Sequence, residues 1–122
     1  MRGINLGATY VRIGIQGNRG EVELEALADT GATFTKIPRR HAEKIGLEAQ
    51  FETVVRLSPT GATVPRSVGY ANIKVEGVRR LVPVAFGEDN EPSILGFTAL
   101  EILGLKVNPA TRRLEKSIPI EY

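Results

Sequence analysis

The sequence contains no cysteine and no tryptophan, and it has only one histidine and one methionine. The absence of cysteine excludes a disulfide framework, a thiolate metal site and a cysteine nucleophile. A metal site would need several histidines or clustered carboxylates, and the sequence groups none, so we expect neither a metal nor another cofactor. The histidine, His41, lies in a charged helical segment, which favours a solvent-facing position over a catalytic base.

Long hydrophobic runs are also missing. No segment approaches the roughly 20 apolar residues that cross a bilayer, and the first eight residues lack the apolar stretch of a signal peptide. We therefore expect no membrane association and a cytoplasmic location. With 42% hydrophobic and 25% charged residues the composition is that of an ordinary globular protein. A length of 122 residues suits one compact domain, spanning residues 1–122.

A dense cluster of positive charge is absent too. The net charge is +2 and the pI is about 9.2, but the basic residues are scattered in short pairs such as Arg39-Arg40 and Arg79-Arg80. Nucleic-acid-binding surfaces normally carry a denser patch or stripe, so we expect solvated surface and no nucleic-acid partner. A basic nucleic-acid-binding β-barrel is a minor alternative, which salt-dependent binding to oligonucleotides would support.

The pattern of the remaining residues predicts a mostly β fold. Two alternating runs at residues 11–16 and 21–28 flank Gly-Asn-Arg-Gly and predict a β-hairpin. In the second run Val22, Leu24, Ala26 and Ala28 share one face, because successive strand side chains point to opposite sides. Further strands are predicted at 51–57, 62–75, 78–86 and 93–96, with turns at 58–61 and 76–77.

Two short helices interrupt the strands. The first is predicted over residues 39–45, between Pro38 and Gly46, and the second around 98–103. Each is preceded by an apolar strand and followed by Gly-Leu, which indicates a duplicated strand-turn-helix unit and an approximate internal twofold. After a turn at 108–111, residues 114–120 predict a terminal strand, which would need a partner.

Only two aspartates occur in the chain, Asp29 and Asp89. Asp89 lies in a polar loop and is interpreted as a turn residue. Asp29 follows the apolar run 26–28 and precedes Thr30 and Gly31, so an ionisable group sits where a strand leaves the interior. Such a position is costly for a group without a function. Asp-Thr-Gly alone is also a common turn sequence, so its surroundings must decide.

The order of motifs is more specific than the tripeptide. A strand, Asp-Thr-Gly-Ala at 29–32, a second strand, a short helix, a hairpin with Pro-Thr-Gly at its tip, Ile-Leu-Gly at 94–96 and another helix follow one another. Over nearly the whole chain this order resembles the retroviral-type aspartic proteases, particularly their non-viral cellular members. The resemblance implies a single-domain, closed retropepsin-like β-barrel that acts as a homodimer on peptide or protein substrates.

The resemblance also implies roles for individual residues. Asp29 would be catalytic, Thr30 would brace the active-site loops through its hydroxyl, and Gly31 would let the loop pack tightly. Substrate contacts are expected at Ala32, at Ile94 and at Thr60 and Gly61 in the tip of the flap, the hairpin that covers bound peptide in this family. A plain core position for Ile94 and an ordinary hairpin turn for the flap are the alternatives, and Leu95 is interpreted as core.

Two departures from the viral members are visible. Viral members commonly carry an arginine directly after the second glycine and an acidic residue soon after Asp-Thr-Gly-Ala, where this chain has Phe97 and Thr33-Phe34. The dimer contacts and the cleavage preference of the viral enzymes are therefore not expected to transfer.

The number of aspartates suits the chemistry of this family. Aspartic proteases place two carboxylates about 3 Å apart, so that they share one proton. Because the chain has one suitable aspartate, the second should be Asp29 of a twofold-related subunit. We therefore expect an aspartic endopeptidase. The alternative is a catalytically silent module for dimerisation or peptide binding, suggested by Ala28, which is smaller than the residue usual before the aspartate.

Overall fold

Strands dominate the chain in the computed structural model, which describes residues 7–122. The strands are β1 (Tyr10–Gly17), β2 (Gly20–Asp29), β3 (Thr35–Pro38), β4 (Phe51–Arg56), β5 (Thr63–Val75), β6 (Val78–Gly87), β7 (Ile94–Gly96), β8 (Leu105–Asn108) and β9 (Arg113–Lys116). The helices are α1 (Arg39–Lys44) and α2 (Phe97–Leu103). Residues 1–6, part of the segment compared with a signal peptide, lie outside the described residues. Neither of these helices has the length and hydropathy needed to span a membrane.

Seven of the described strands form one sheet that closes on itself. Their order is β1-β2-β7-β3-β6-β5-β4, and β1 also pairs with β5, so that Ile15 lies opposite Ile73. Six strands therefore make a closed barrel, while β4 extends it beyond β5. Strand β7 runs parallel to β2 and β6 runs parallel to β3, whereas the other pairs are antiparallel. The prediction of a mostly β, closed barrel with short helices is confirmed.

The barrel interior is filled by aliphatic side chains. On β2 the predicted alternation is present, since Ala26 and Ala28 are buried while Glu25 faces outward. Fully buried aliphatic residues come from five of the six barrel strands and include Ile13, Ile15, Ile37, Ile73, Val82, Val84 and Leu95. Burial of this apolar surface is the main stabilising contribution.

Both helices end in the same way. Gly46 and Gly104 have φ angles of 74° and 69°, in the left-handed region that glycine adopts without a steric penalty. The amide of Gly46 donates a hydrogen bond to the carbonyl of Glu43, and that of Gly104 donates to the carbonyl of Glu101. The repeated Gly-Leu pattern thus predicted two equivalent helix ends.

The predicted terminal strand over residues 114–120 was wrong in its extent. Strand β9 ends at Lys116 and pairs with β8, with Leu114 opposite Val107. Beyond it, Ile118 and Ile120 are exposed. Pro119 lies between them and has no amide hydrogen to donate to a strand ladder. The partner that the strand needs is therefore supplied within the same chain by β8.

Charged side chains fasten the loop between β6 and β7 to the barrel. Nη2 of Arg66 donates hydrogen bonds of 2.9 and 2.8 Å to the two carboxylate oxygens of Glu91, and the amide of Glu88 donates a third. Nζ of Lys36 lies 3.9 Å from Oε1 of Glu91. Burial raises the pKa of Glu91, but these hydrogen bonds and charges outweigh it and lower the pKa below its ordinary value. We call Lys36, Arg66 and Glu91 the charged cluster.

Leu95→Ala tests the core. The side chain of Leu95 is 0% exposed, so truncation leaves a cavity and should lower the free energy of unfolding by about 2–5 kcal/mol. Leu81→Ala is the matched control, because Leu81 is 58% exposed and its truncation should change stability by no more than about 0.5 kcal/mol. Urea unfolding followed by circular dichroism measures both. Equal losses in the two variants would contradict the packing described.

Glu91→Gln tests the charged cluster through pH. The pKa of Glu91 is lowered in the folded state from its ordinary value of 4.5, so its charge stabilises the fold at pH values above 4.5. This contribution disappears as the pH falls through the folded-state pKa. The variant should be less stable by about 1–3 kcal/mol at pH 7, and the difference should shrink below pH 4.5. Urea midpoints across the pH range measure this, with exposed Glu25→Gln as control; a constant difference would contradict it.

Candidate active site

Asp29 is the last residue of β2, and the main chain folds back directly after it. The amide of Gly31 donates a 2.8 Å hydrogen bond to Oδ1 of Asp29, and the amide of Ala32 donates to the Asp29 carbonyl. A Cβ atom on Gly31 would lie 3.2 Å from the same Oδ1. The turn therefore fixes the orientation of the carboxylate, and a larger residue at position 31 would crowd it.

Strand β7 supports this turn from behind. Gly96 lies opposite Asp29 in the β2–β7 register, and its amide donates a buried hydrogen bond to Oγ1 of Thr35. A Cβ atom on Gly96 would lie 2.5 Å from the carbonyl of Phe34, so only glycine fits at this position. The next amide, that of Phe97, donates a 2.6 Å hydrogen bond to the Ala32 carbonyl. Ile-Leu-Gly thus ties the Asp29 turn to the barrel.

A cleft of about 900 Å³ opens at Asp29, a size typical of ligand sites. Gly31, Ala32 and Ile94 line it near the carboxylate, and Gly61 lines it from the connection between β4 and β5. Five of the predicted site residues are therefore brought together around one cleft. Ile94 is half-buried there while Leu95 points into the core, as the sequence predicted for Leu95.

Two predicted site residues do not line the cleft. Thr30 is exposed on the Asp29 turn. Thr60 lies at the tip of the β4–β5 hairpin, where its hydroxyl accepts a hydrogen bond from the amide of Ala62. The bracing role of the Thr30 hydroxyl and the substrate contact of Thr60 stay predictions.

The charged cluster also lines the cleft, although the sequence pattern did not predict it. Lys36, Arg66 and Glu91 form part of the wall, and Arg66 is only 6% exposed. Burial lowers the pKa of Lys36; the carboxylate of Glu91 opposes this effect, and the charge of Arg66 adds to it. The sequence did contain one signal: Lys36 and Arg66 each lie in a run whose other residues predict a half-buried strand.

The other titratable candidates lie elsewhere. Oδ1 of Asp89 accepts a 2.9 Å hydrogen bond from the amide of Arg40, so this aspartate links its loop to α1. His41 on α1 is half-buried instead of solvent-facing as predicted, and burial together with the charges of Arg40 and Lys44 lowers its pKa. Neither is among the cleft residues. Within residues 7–122 no three histidine or acidic side chains are grouped as a metal site would require.

Comparison with known proteins agrees with this geometry. A family profile described as aspartyl protease matches residues 11–99. Among solved structures, the solution structure of the simian foamy virus (mac) protease is similar at 21% sequence identity and a TM-score of 0.55, covering 75% of this chain and 90% of the viral one. No curated protein matched. The family profile spans most of the chain, including Asp29 and the Ile-Leu-Gly strand, and the chain therefore belongs to the aspartyl protease family, with a fold similar to that of the viral protease.

Proposed function

We propose that this protein is an aspartic endopeptidase in which a water molecule is activated between Asp29 of one copy and Asp29 of a second. Two observations support the proposal. The carboxylate of Asp29 lies at an open cleft, oriented by the Gly31 amide, and it belongs to a chain of the aspartic protease family. Peptide hydrolysis is the activity that this family membership supports.

The chemistry needs one protonated and one ionised carboxyl group. Two carboxylates held close together repel each other, so the pair keeps one proton. The ionised member accepts a proton from the water molecule as the water oxygen attacks the scissile carbonyl. The protonated member donates its proton to the carbonyl oxygen. The carboxyl group that took the proton from water then donates it to the leaving nitrogen, while the other carboxylate takes back a hydroxyl proton from the tetrahedral intermediate. The C–N bond breaks, and the pair again shares one proton. The Gly31 amide, which donates to Oδ1 of Asp29, fixes the orientation in which this carboxylate would meet the water.

The second carboxyl group should come from a second copy. In the part of the chain that the structure describes, the other carboxylate lining the cleft is that of Glu91, which is occupied by Arg66. Phe97, whose amide donates to the Ala32 carbonyl of the Asp29 turn, is exposed, and Ile102 is exposed further along the same helix. Burying such a surface against a twofold-related copy would be favourable. Thr30, exposed beside Asp29, would then lie close to the dimer axis.

The substrate is expected to be an extended peptide with apolar side chains at the scissile bond. Phe34, Val54, Leu57 and Ile94 contribute apolar surface to the cleft. The hairpin between β4 and β5, with Pro59 and Gly61 in its connection, forms one side of the cleft and would cover the bound peptide. Apolar side chains seated there lose contact with water, which favours binding.

Asp29→Asn tests the proposal directly. Asparagine retains the shape of the side chain but cannot accept the proton from water, so cleavage of a peptide library should fall by at least about a hundredfold, while circular dichroism and the elution volume stay unchanged. Asp89→Asn is the matched control, because it removes the other aspartate, outside the cleft, and should leave cleavage intact.

Retained cleavage in Asp29→Asn would contradict the assignment. Peptide binding by the wild-type protein with no turnover across a broad library would instead support the alternative of a silent peptide-binding or dimerisation module.

A further inference from the structure

The charged cluster holds two cations for one carboxylate. Nη2 of Arg66 binds both carboxylate oxygens of Glu91, and Nζ of Lys36 lies 3.9 Å from one of them. Fastening the loop to the barrel needs one such cation. The second leaves a surplus positive charge in the wall of the cleft that contains Asp29.

The donors of this cluster are incompletely satisfied. Nε of Arg66 is buried and has no hydrogen-bond partner among the described residues, and Arg66 as a whole is 6% exposed. The 3.9 Å separation between Lys36 and Glu91 is too long for a hydrogen bond. Buried donors without acceptors cost free energy. Burial lowers the pKa of Lys36, and the opposing effect of the Glu91 carboxylate is smaller.

The cluster lies close to the place where peptide would be cleaved. Lys36 is opposite Ile94 in the β3–β7 pairing, and Gly96, two residues beyond Ile94, lies opposite Asp29. With a strand spacing of about 4.8 Å and a rise of about 3.3 Å per residue, Lys36 falls on the order of 10 Å from the Asp29 turn. An extended peptide covers that distance in two or three residues.

We propose that Lys36 and Arg66 form a subsite for an acidic side chain of the substrate, a glutamate or aspartate two or three residues from the scissile bond. The inference rests on the proposed function, because it assigns a specificity to the same cleft. A carboxylate placed beside Lys36 would accept hydrogen bonds from its ammonium and offset the surplus charge of the cluster. Charge-assisted hydrogen bonds of this kind are stronger than those to a neutral amide, so glutamate is selected over glutamine.

Peptide binding tests the subsite without requiring catalysis. The full-length Asp29→Asn protein is titrated at pH 7, where glutamate is ionised, with fluorescent peptides that carry apolar residues at the central bond. The two peptides of each pair differ only in having Glu or Gln at one of the three positions on either side of the central bond. At one of these positions the Glu peptide should bind about tenfold more tightly or better, as fluorescence anisotropy measures.

Lys36→Met in the same background should reduce this ratio to below about threefold, since the ammonium is lost while the stem of the side chain is kept. The matched control is Lys74→Met, which changes the net charge equally. Lys74 is exposed and lies near the end of β5 that is far from Arg66. It should leave the ratio unchanged. If Lys36→Met does not fold, the subsite is still tested, because the Glu and Gln peptides are also compared on the Asp29→Asn protein, whose charged cluster is unchanged.

The outcomes separate the two proposals. Equal binding of the Glu and Gln peptides, no binding of either series, or the same loss of ratio in Lys36→Met and Lys74→Met would overturn the subsite. A Glu preference that Lys36→Met removes would support it even if wild-type protein cleaved none of the peptides, and only the proposed catalysis would then fail. Cleavage by the wild type without a Glu preference would leave the peptidase standing and the subsite refuted.

Discussion

A carboxylate at the end of a buried strand has to be stabilised by its own main chain, and the geometry of this protein is arranged around that requirement. Asp29 ends β2 directly after the buried Ala28, and the Gly31 amide donates to its Oδ1. The turn that makes this possible depends on Gly96, where any side chain would collide with the Phe34 carbonyl. Two glycines therefore hold one acidic group at the mouth of an apolar barrel.

The same barrel explains why the cleft combines apolar and charged walls. Its interior is mostly aliphatic and the residues lining the opening are mostly apolar, so a charged side chain placed there needs partners. Lys36 on β3, Arg66 on β5 and Glu91 in the loop before β7 meet because β3, β6 and β5 are neighbours in the sheet. Buried ion groups of this kind seldom add net stability compared with apolar residues. We therefore relate the surplus cation to ligand recognition instead of folding.

Sequence patterns predicted those parts of the fold that depend on neighbouring residues in the chain. The hairpin of β1 and β2, the glycine ends of α1 and α2, and the β7 strand all follow from alternation and from residues with particular backbone freedom. The position of Asp29 and Ile94 on one cleft came from the resemblance of motif order, since no periodicity brings residues 29 and 94 together. The terminal strand was overestimated because its apolar alternation continues past Pro119.

The pairing within the charged cluster could not be predicted, because it depends on tertiary contact. Arg66 and Glu91 are 25 positions apart, and each alone reads as a polar residue on the outer face of a strand or in a loop. Pairing between them becomes visible only when the barrel closes. His41 was likewise expected to face solvent, whereas packing of α1 against the barrel leaves it half-buried.

The most direct measurement is the distance between the Asp29 carboxylates of neighbouring copies in a crystal structure of the assembled protein. We expect a twofold dimer in which they lie about 3 Å apart and share a cleft covered by both hairpins. A strictly monomeric protein, or a dimer that keeps the two carboxylates far apart, would contradict it.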